Sequence, residues 1–303
     1  MRSSEFHGLL VLDKPGGMTS RDAVNRAQGW FPRGVRLGHT GTLDPLATGV
    51  LVLCVGSATR LAEYVQQMDK VYRAELRLGA RSDTDDADGT IEPVQAKHPP
   101  DRATIDASLQ PFIGEIEQVP PAYSAAKVTG RRAYDLARQG ADLSLQPRCV
   151  QVYGIDVGDY DYPRLELEIH CGRGVYIRSL ARDLGDLLGC GALVTALRRT
   201  RVGPFTDTQA LSLDSDVVTT RSALLPLSAA VAELPRVTLP ADCINRLRQG
   251  QSVPIEAENV PQKPGEQDIA VFALPGELVA VARLDPASLQ LKPAKVLPVQ
   301  QAP

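Results

Sequence analysis

Residues 39–52 constrain this chain most, because they place a single acid between a glycine-containing turn and a strongly apolar run. The segment is His-Thr-Gly-Thr-Leu-Asp-Pro-Leu-Ala-Thr-Gly-Val-Leu-Val. Pro45 disfavours a helical conformation at the acid, Asp44. The β-branched, apolar run at residues 50–55 predicts a buried strand. The pattern therefore predicts an ionisable group on a loop beside the core, which suits a reactive residue, although an isolated Asp-Pro usually only forms a turn.

The rest of the chain predicts strands interleaved with helices. Strands are expected at residues 9–12, 71–78 and 165–169, with Tyr72, Ala74, Leu76 and Leu78 on one face of the second. Helices are expected at residues 20–27 with Thr19 or Ser20 as the cap, from a Ser57 cap to about residue 68, and at residues 101–112, 131–139 and 176–188. This order predicts an α+β fold, a mixed sheet with helices on its faces.

The C-terminal part has a different pattern. Residues 234–240 contain two prolines and are typical of a linker and hinge where few contacts cross. Short strands are expected after it at residues 270–274, 278–284 and 295–299. We therefore expect a small β-rich module at residues 240–303.

Composition limits the class of protein. Of the 303 residues, 43% are hydrophobic and 23% charged, as in ordinary soluble globular proteins. The first residues show no signal peptide, and no run of about 18 apolar residues predicts a membrane span. The five cysteines are widely spaced and form no Cys-x-x-Cys pair, which favours reduced thiols over disulfides or a zinc site. We expect a cytoplasmic protein.

The net charge of −3 does not by itself suggest a nucleic-acid partner. Basic residues are concentrated in two stretches, however, and a local basic face is what phosphate binding requires. Residues 127–138 hold Lys127, Arg131, Arg132 and Arg138; residues 173–201 hold Arg173, Arg178, Arg182, Arg198, Arg199 and Arg201. These stretches are compatible with a basic groove, or alternatively with solvated helix faces.

Several motifs resemble those of one family in the same order along the chain. The segment at residues 39–52 resembles the catalytic motif of the TruB family of tRNA pseudouridine-55 synthases. Residues 8–20 resemble its lysine-proline turn, residues 70–73 its tyrosine motif, and residues 79–89 its acidic loop. Residues 120–138, 174–180 and 189–199 are similar to its RNA-gripping segment, its arginine motif and its Leu-Arg-Arg stretch. Val175 departs from the expected threonine, and residues beyond about 210 match weakly.

The resemblance implies an organisation and a set of site residues. Residues 1–235 would form the catalytic pseudouridine synthase domain with an RNA-gripping insertion at about 120–148, and residues 240–303 a PUA-like RNA-binding module, or alternatively an inert β-cap. The implied catalytic residues are Asp44, Tyr72 and Arg178. Asp44 would be the carboxylate, with Arg178 pairing bidentately to lower its pKa, and Tyr72 would stack on the base and offer a hydroxyl that could shuttle a proton. The implied substrate-binding residues are His39, Tyr72, Tyr176 and Leu197, and the implied RNA-binding residues are Lys14, Lys127, Arg131 and Arg132. Plain core packing is the alternative for Tyr72, Tyr176 and Leu197.

The acidic residues Asp83, Asp85, Asp86 and Asp88 fail the EF-hand pattern, because position 5 would be Ala87 and the glycine falls at position 7. We interpret them as a turn with solvated acids. The implied reaction needs neither a metal nor a cofactor.

The implied function is isomerisation of uridine 55 in the T-loop of tRNA, by base flipping, cleavage of C1′–N1 and re-attachment through C5. The partner would be the tRNA T-arm, and the enzyme a monomer. Two alternatives stay open: a guide-RNA-dependent synthase, which usually carries extended basic termini, and a tRNA-binding or folding factor without activity. The presence of Asp44, Tyr72 and Arg178 together argues against the second.

Overall fold

The computed structural model describes residues 6–95, 98–123, 127–128, 131–132, 145–256 and 268–299, with the backbone alone at 127–128 and 131–132. A ten-stranded mixed sheet forms the main body, and a five-stranded sheet lies at the C-terminal end. The expected α+β class with a small C-terminal β module is confirmed.

The strands follow one another along the chain as β1 (Gly8–Lys14), β2 (Leu37–His39), β3 (Thr48–Val55), β4 (Lys70–Leu78), β5 (Ala80–Ser82), β6 (Ile91–Pro93), β7 (Gly114–Gln118), β8 (Lys127–Val128), β9 (Arg131–Arg132), β10 (Arg148–Asp161), β11 (Arg164–Cys171), β12 (Ala192–Val202), β13 (Phe205–Thr206), β14 (Leu211–Ser212), β15 (Arg236–Thr238), β16 (Val253–Pro254), β17 (Asp268–Ala273), β18 (Glu277–Asp285) and β19 (Gln290–Val296). The large sheet has the order β14-β1-β3-β12-β4-β11-β10-β7, with β2 added to β3 and β13 to β12.

The sheet positions the loop that carries Asp44. β12 is antiparallel to β4 but parallel to β3, which it meets only at Arg198 opposite Thr48 and Arg199 opposite Gly49. β3 begins at this contact, and Thr48 Oγ1 lies 3.5 Å from the Leu197 carbonyl oxygen. The chain that precedes β3 therefore enters beside the middle of β12.

The α-helices are α1 (Ser20–Ala27), α2 (Ala62–Gln67), α3 (Arg102–Leu109), α4 (Ile177–Leu187), α5 (Val217–Ser222) and α6 (Ala241–Arg248), and short 3-10 helices lie at Gln28–Trp30, Gly56–Leu61, Gln110–Phe112, Asp207–Gln209 and Leu227–Val231. Thr19 caps α1 as expected: its Oγ1 accepts from the Asp22 amide at 3.1 Å, and Asp22 Oδ2 accepts from the Thr19 amide at 3.0 Å. Reciprocal bonds of this kind satisfy two donors at the helix start.

Two helix predictions were wrong in part. Ser57 does not cap a helix, because the chain turns there in the 3-10 segment Gly56–Leu61, which has no side-chain cap, and α2 begins only at Ala62. At the start of the predicted helix 131–139, Arg131 and Arg132 instead pair antiparallel with Val128 and Lys127 as short strands. Pairing with a neighbouring strand overrides local helical preference here. Residues 133–139 lie outside the described residues.

The main core lies between the large sheet and the helices on one face. β4 buries Tyr72, Ala74, Leu76 and Leu78, as its alternation predicted. α4 packs against this face through its apolar side, which comprises Ile177, Leu180, Ala181 and Leu184. Tyr72 and Arg178 therefore stand on a strand and a helix with a packed core between them.

The predicted linker is part of the second sheet. Arg236–Thr238 pairs in parallel with β17, so these residues are a strand and not a hinge. Apolar residues of this sheet, among them Phe272, Leu278 and Val281, share one core cluster with Val50 and Val52 of β3. The expectation of few contacts across residues 235–240 is wrong, because the second sheet shares this cluster with β3 and with helical residues such as Tyr64 and Leu227. The division into domains at residues 235 and 240 stays a prediction.

Candidate active site

The Asp44 loop is fixed on both sides by hydrogen bonds. The Ser20 hydroxyl, at the start of α1, accepts from the Leu43 amide at 2.8 Å and donates to the Leu43 carbonyl at 3.1 Å. The Gly17 amide donates to the Pro45 carbonyl at 2.9 Å. The loop is therefore held to α1 and to the turn after β1, as a site that must orient one carboxylate requires.

Lys14 is a structural anchor of this loop and is not available to RNA phosphates. Its side chain is fully buried, and Nζ donates to the carbonyls of Pro15 and Met18 at 2.8 Å each and of Pro45 at 3.4 Å. Burial lowers the pKa of Lys14 to about 8, against the opposing charge of Asp44. The expectation that Lys14 binds RNA is wrong, because an ammonium group enclosed by carbonyls has no open donor for a phosphate.

Arg178 holds Asp44, as expected, but through a single contact. Its Nε lies 3.0 Å from Asp44 Oδ2, and this is an ion pair whose N–H is poorly directed at the oxygen. Nη1 donates to the Thr84 carbonyl at 2.9 Å, and Nη2 donates to the Tyr123 carbonyl at 3.0 Å. The predicted bidentate pair is wrong, because the two terminal nitrogens bind backbone carbonyls. These two bonds fix the position of the guanidinium group independently of its contact with Asp44.

The acidic loop contributes a second carboxylate to Arg178. Asp86 Oδ2 lies 3.3 Å from Arg178 Nη1, and both side chains are almost fully buried. Asp86 Oδ1 accepts from the Thr84 hydroxyl at 2.5 Å and from the Asp88 amide at 3.1 Å. The interpretation of this segment as solvated acids is wrong for Asp86, because the loop folds inward and its carboxylate meets the guanidinium.

Asp85 is also paired within the protein, with Arg182 Nη1 3.1 Å from its Oδ2. Burial raises the pKa of Asp85 to about 6, which Arg182 opposes. The loop is tied to β12 by the Ala87 amide, which donates to the Val194 carbonyl at 2.9 Å. The acidic loop therefore contacts the Arg178 guanidinium at Nη1, while Asp44 contacts it at Nε.

The surroundings of the Asp44 carboxyl disfavour its charge. Its side chain keeps 34% of its surface exposed, but protein atoms surround the carboxyl on most sides. Burial raises the pKa of Asp44 and the charge of Asp86 adds to this, while Arg178 and Lys14 lower it. The expected effect of Arg178 has the right sign, but the net direction is upward because burial is the largest contribution.

Tyr72 and Arg199 complete the described site. Tyr72 is buried on β4, and the Arg199 guanidinium carbon lies 6.0 Å from its ring centre. Arg199 is 3% exposed; its Nε donates to the Val50 carbonyl at 2.8 Å and its Nη2 to the Gly41 carbonyl at 3.2 Å. Burial raises the pKa of Tyr72, with an opposing contribution from Arg199 and a smaller raising one from Asp44. One guanidinium thus connects both ends of the Asp44 loop to the tyrosine.

Arg199 was missed as a site residue and grouped with RNA-binding arginines. In fact most of the stretch at residues 173–201 is paired within the protein, in the contacts Arg178 to Asp44 and Asp86, Arg182 to Asp85 and Asp183, Arg198 to Asp13 and Asp207, and Arg201 to Asp69. The basic-groove interpretation of this stretch is therefore wrong except at Arg173, which is exposed. Arg199 lies opposite Tyr72 through the register between β12 and β4, which no local pattern in the sequence displays.

The structure places the other predicted residues as follows. Tyr176 precedes α4, and the Gln118 side chain binds its backbone amide at 2.8 Å and its carbonyl at 3.0 Å. Leu197 is buried on β12 opposite Ala74, and half-buried His39 is on β2 opposite Leu53. The backbones of Lys127, Arg131 and Arg132 belong to the paired strands β8 and β9, and their side chains lie outside what the structure describes.

A groove of about 600 Å³ crosses strands β12, β4, β11 and β10, and Leu46 and Thr48, just after Asp44 in the chain, also line it, although Asp44 itself does not. Its charged lining comprises Arg73, Arg198, Glu75, Asp156, Glu166 and Glu168. Acids outnumber bases among these charged residues, and Leu197 also lines the groove. Because Asp44 is not among the lining residues, we assign the carboxylate chemistry to the surroundings of Asp44. No cluster with metal-ligand geometry occurs among the residues with described positions.

The fold and this site define an RNA-modifying enzyme class, that of the pseudouridine synthases. The structure superposes on the crystal structure of a Cbf5–Nop10–Gar1 complex with a TM-score of 0.75 and 26% identity, over 97% of this chain and 85% of that one. A family model for the N-terminal domain of TruB family pseudouridylate synthase matches residues 31–177, and one for the C-terminal domain of tRNA pseudouridylate synthase B matches residues 178–241. The chain belongs to the TruB family of pseudouridine synthases.

Bacterial relatives agree with this assignment. The chain is 40% identical to a tRNA pseudouridine synthase B of Sodalis glossinidius, with 96% of this chain and 97% of the relative covered. It is 41% identical to one of Xanthomonas campestris pv. campestris, with 96% and 94% covered.

Proposed function

We propose that this protein converts uridine 55 in the T-loop of tRNA into pseudouridine, as a stand-alone, monomeric enzyme of the cytoplasm. The contact of 3.0 Å between Arg178 and Asp44, beside buried Tyr72, carries the proposal. The names of the bacterial relatives support tRNA as the substrate. The five cysteines, none of which forms a disulfide, agree with a reducing compartment.

The reaction is an isomerisation, so the atoms balance without an external reactant. The bond from C1′ of the ribose to N1 of uracil breaks, the base turns, and a bond from C1′ to C5 forms. The proton on C5 leaves and N1 gains one. Asp44 supplies the carboxylate, either as nucleophile or as base, and must be ionised to act.

The surrounding residues then have distinct roles. Arg178 orients the Asp44 carboxylate and favours its charged form, and its bonds to two backbone carbonyls keep it in place. Tyr72 stacks on the flipped uracil, while Tyr176 and Leu197 line the pocket and His39 fills the space that the base leaves. Lys127, Arg131 and Arg132 bind the phosphates of the T-arm within the insertion at about residues 120–148.

One assay tests the proposal against its alternatives. The purified chain is incubated with an unmodified tRNA transcript, with no guide RNA or metal added, and pseudouridine is scored by position. Product at position 55 alone supports the proposal. Product only after addition of a guide RNA would identify a guide-dependent synthase, and tight tRNA binding without product would identify a binding factor.

Among helices with described positions, none has the length and apolarity that crossing a membrane requires. A PUA-like role of residues 240–303 in RNA binding is part of the proposal.

A further inference from the structure

A second polar pocket lies at the end of β3 that is far from Asp44. Its volume is about 220 Å³. The lining consists of His7, Gly34, Val35, Arg36, Gly56, Ser57, Thr59 and Arg60. These side chains include two guanidinium groups, one imidazole and two hydroxyls, and no carboxylate. In a chain whose net charge is −3, such a lining favours an anionic ligand.

The backbone at Gly56 and Ser57 allows the His7 ring to approach closely. Gly56 has a φ of +60°, and a Cβ at this position would lie 2.2 Å from His7 Nδ1. The Gly56 amide donates to the Arg36 carbonyl at 2.8 Å, and the Ser57 amide donates to His7 Nδ1 at 3.2 Å. Because Nδ1 accepts this bond, the proton of a neutral His7 is on Nε2, which is then a donor.

The arginines of this pocket have donors to offer a ligand. Arg36 is exposed, and its guanidinium forms no ion pair with any residue whose position is described. Arg60 is anchored, since Nη1 donates to the Val296 carbonyl and its own carbonyl accepts from Lys295 Nζ at 2.6 Å. The buried Ser57 hydroxyl has no hydrogen-bond partner within the described part of the chain. Planar guanidinium groups beside hydroxyl and imidazole donors match the oxygens of a phosphate.

We infer that this pocket binds a phosphate of the substrate RNA backbone, at a point outside the nucleotide that reacts. β3 has eight residues between the Asp44 loop and this pocket, which corresponds to about 25 Å of extended strand. One nucleotide cannot occupy both places. The inference rests on the proposed function only in taking tRNA as the RNA.

The test compares Arg36→Ala, Arg36→Lys and Arg60→Ala with the parent. The measurements are the salt dependence of full-length tRNA affinity and single-turnover pseudouridine formation at saturating enzyme. Each lost phosphate contact should reduce the slope of log affinity against log salt by about 0.7 to 0.9. Arg36→Lys keeps the charge and should keep the slope. Arg77→Ala removes an exposed arginine on β4, far from this pocket, and serves as the control.

The possible results distinguish the phosphate site from the proposed function. A lower slope for both alanine variants, with an unchanged saturating rate, supports the phosphate site. Parent slopes in both variants, with a parent that is active, overturn it and leave the proposed function intact. A parent that binds tRNA but forms no pseudouridine overturns the proposed function, and the binding slopes still test the site.

Inorganic phosphate distinguishes the source of the ligand. His7 ring resonances are followed by NMR during titration with inorganic phosphate and, separately, with tRNA. Shifts with tRNA that are lost in Arg36→Ala support an RNA phosphate. Shifts with inorganic phosphate alone, and none with tRNA, overturn the RNA assignment in favour of a free phosphate. If Arg60→Ala fails to fold, Arg36→Ala decides, because Arg36 is exposed and holds no other described side chain.

Discussion

Arg178 and Asp86 lie 3.3 Å apart, Nη1 to Oδ2, with both side chains almost fully buried. Asp44 contacts the same guanidinium at Nε. Two carboxylates therefore share one buried cation, and the pKa of Asp44 is raised by burial and by the charge of Asp86. The site holds Asp44 in a fixed orientation but disfavours its charge, so small electrostatic changes should alter the fraction of enzyme that is ready to react.

Asp44→Asn should abolish turnover and change tRNA affinity by no more than a few-fold. The substitution keeps the size of the side chain and removes the charge that the reaction requires. Single-turnover pseudouridine formation and filter binding measure the two effects. Asp88→Asn, which changes an exposed acid, is the control. Substantial product from Asp44→Asn would remove the carboxylate from the mechanism.

Arg178→Lys should reduce the rate by about 100-fold or more. Lysine cannot reach Asp44 and the Thr84 and Tyr123 carbonyls together. Breaking a buried ion pair costs about 3 kcal/mol or more, which is about 100-fold in rate if the cost falls on the transition state. The salt dependence of tRNA binding should stay unchanged. A slope lower by about one unit with turnover preserved would identify Arg178 as a phosphate contact.

Asp86→Asn should shift the acid limb of the pH–rate profile to lower pH. The pKa of Asp44 is raised, so activity is full above that pKa and is lost as the pH falls through it. Removal of the Asp86 charge lowers the pKa of Asp44, so the loss of activity should occur at a lower pH. Single-turnover rates between about pH 4.5 and 8 measure the limb. A shift to higher pH, or an equal shift in Asp88→Asn, would contradict the shared-cation arrangement.

Lys14→Met should lower both thermal stability and kcat without changing the salt dependence of tRNA binding. The ammonium group bonds three carbonyls around the Asp44 loop, and each buried group left unsatisfied costs about 1–3 kcal/mol. Thermal unfolding and binding at several salt concentrations test this. A normal melting temperature with a slope reduced by about 0.7 to 0.9 would restore Lys14 to the RNA-binding residues.

Phe272→Ala should destabilise the whole chain by about 3–5 kcal/mol, the usual cost of emptying a buried phenylalanine site. Phe272 is 4% exposed and belongs to the core cluster that contains Val50 and Val52 of β3. Calorimetry should show a single unfolding transition that moves as a unit. Val299→Ala, at an exposed apolar residue, is the control. Two separate transitions, with only one affected, would favour an independent C-terminal module.

Local patterns in the sequence were sufficient to predict the features that depend only on neighbouring residues. The alternation of β4 predicted which side chains it buries, and the Thr19 cap predicted the start of α1. These features depend on spacing of a few residues, which a sequence displays directly. The family resemblance predicted the contact between Arg178 and Asp44 that the structure shows.

The tertiary structure decided what depends on residues distant in sequence. It turned Asp86 inward to Arg178, enclosed Lys14 with carbonyls, placed Arg199 between Tyr72 and the Asp44 loop, and joined the C-terminal sheet to the core cluster that contains Val50 and Val52. In the sequence, Asp86, Lys14 and Arg199 resemble surface residues, because burial and pairing arise only when strands and loops meet. A charge is stable inside a protein only beside a partner, and the fold selects that partner.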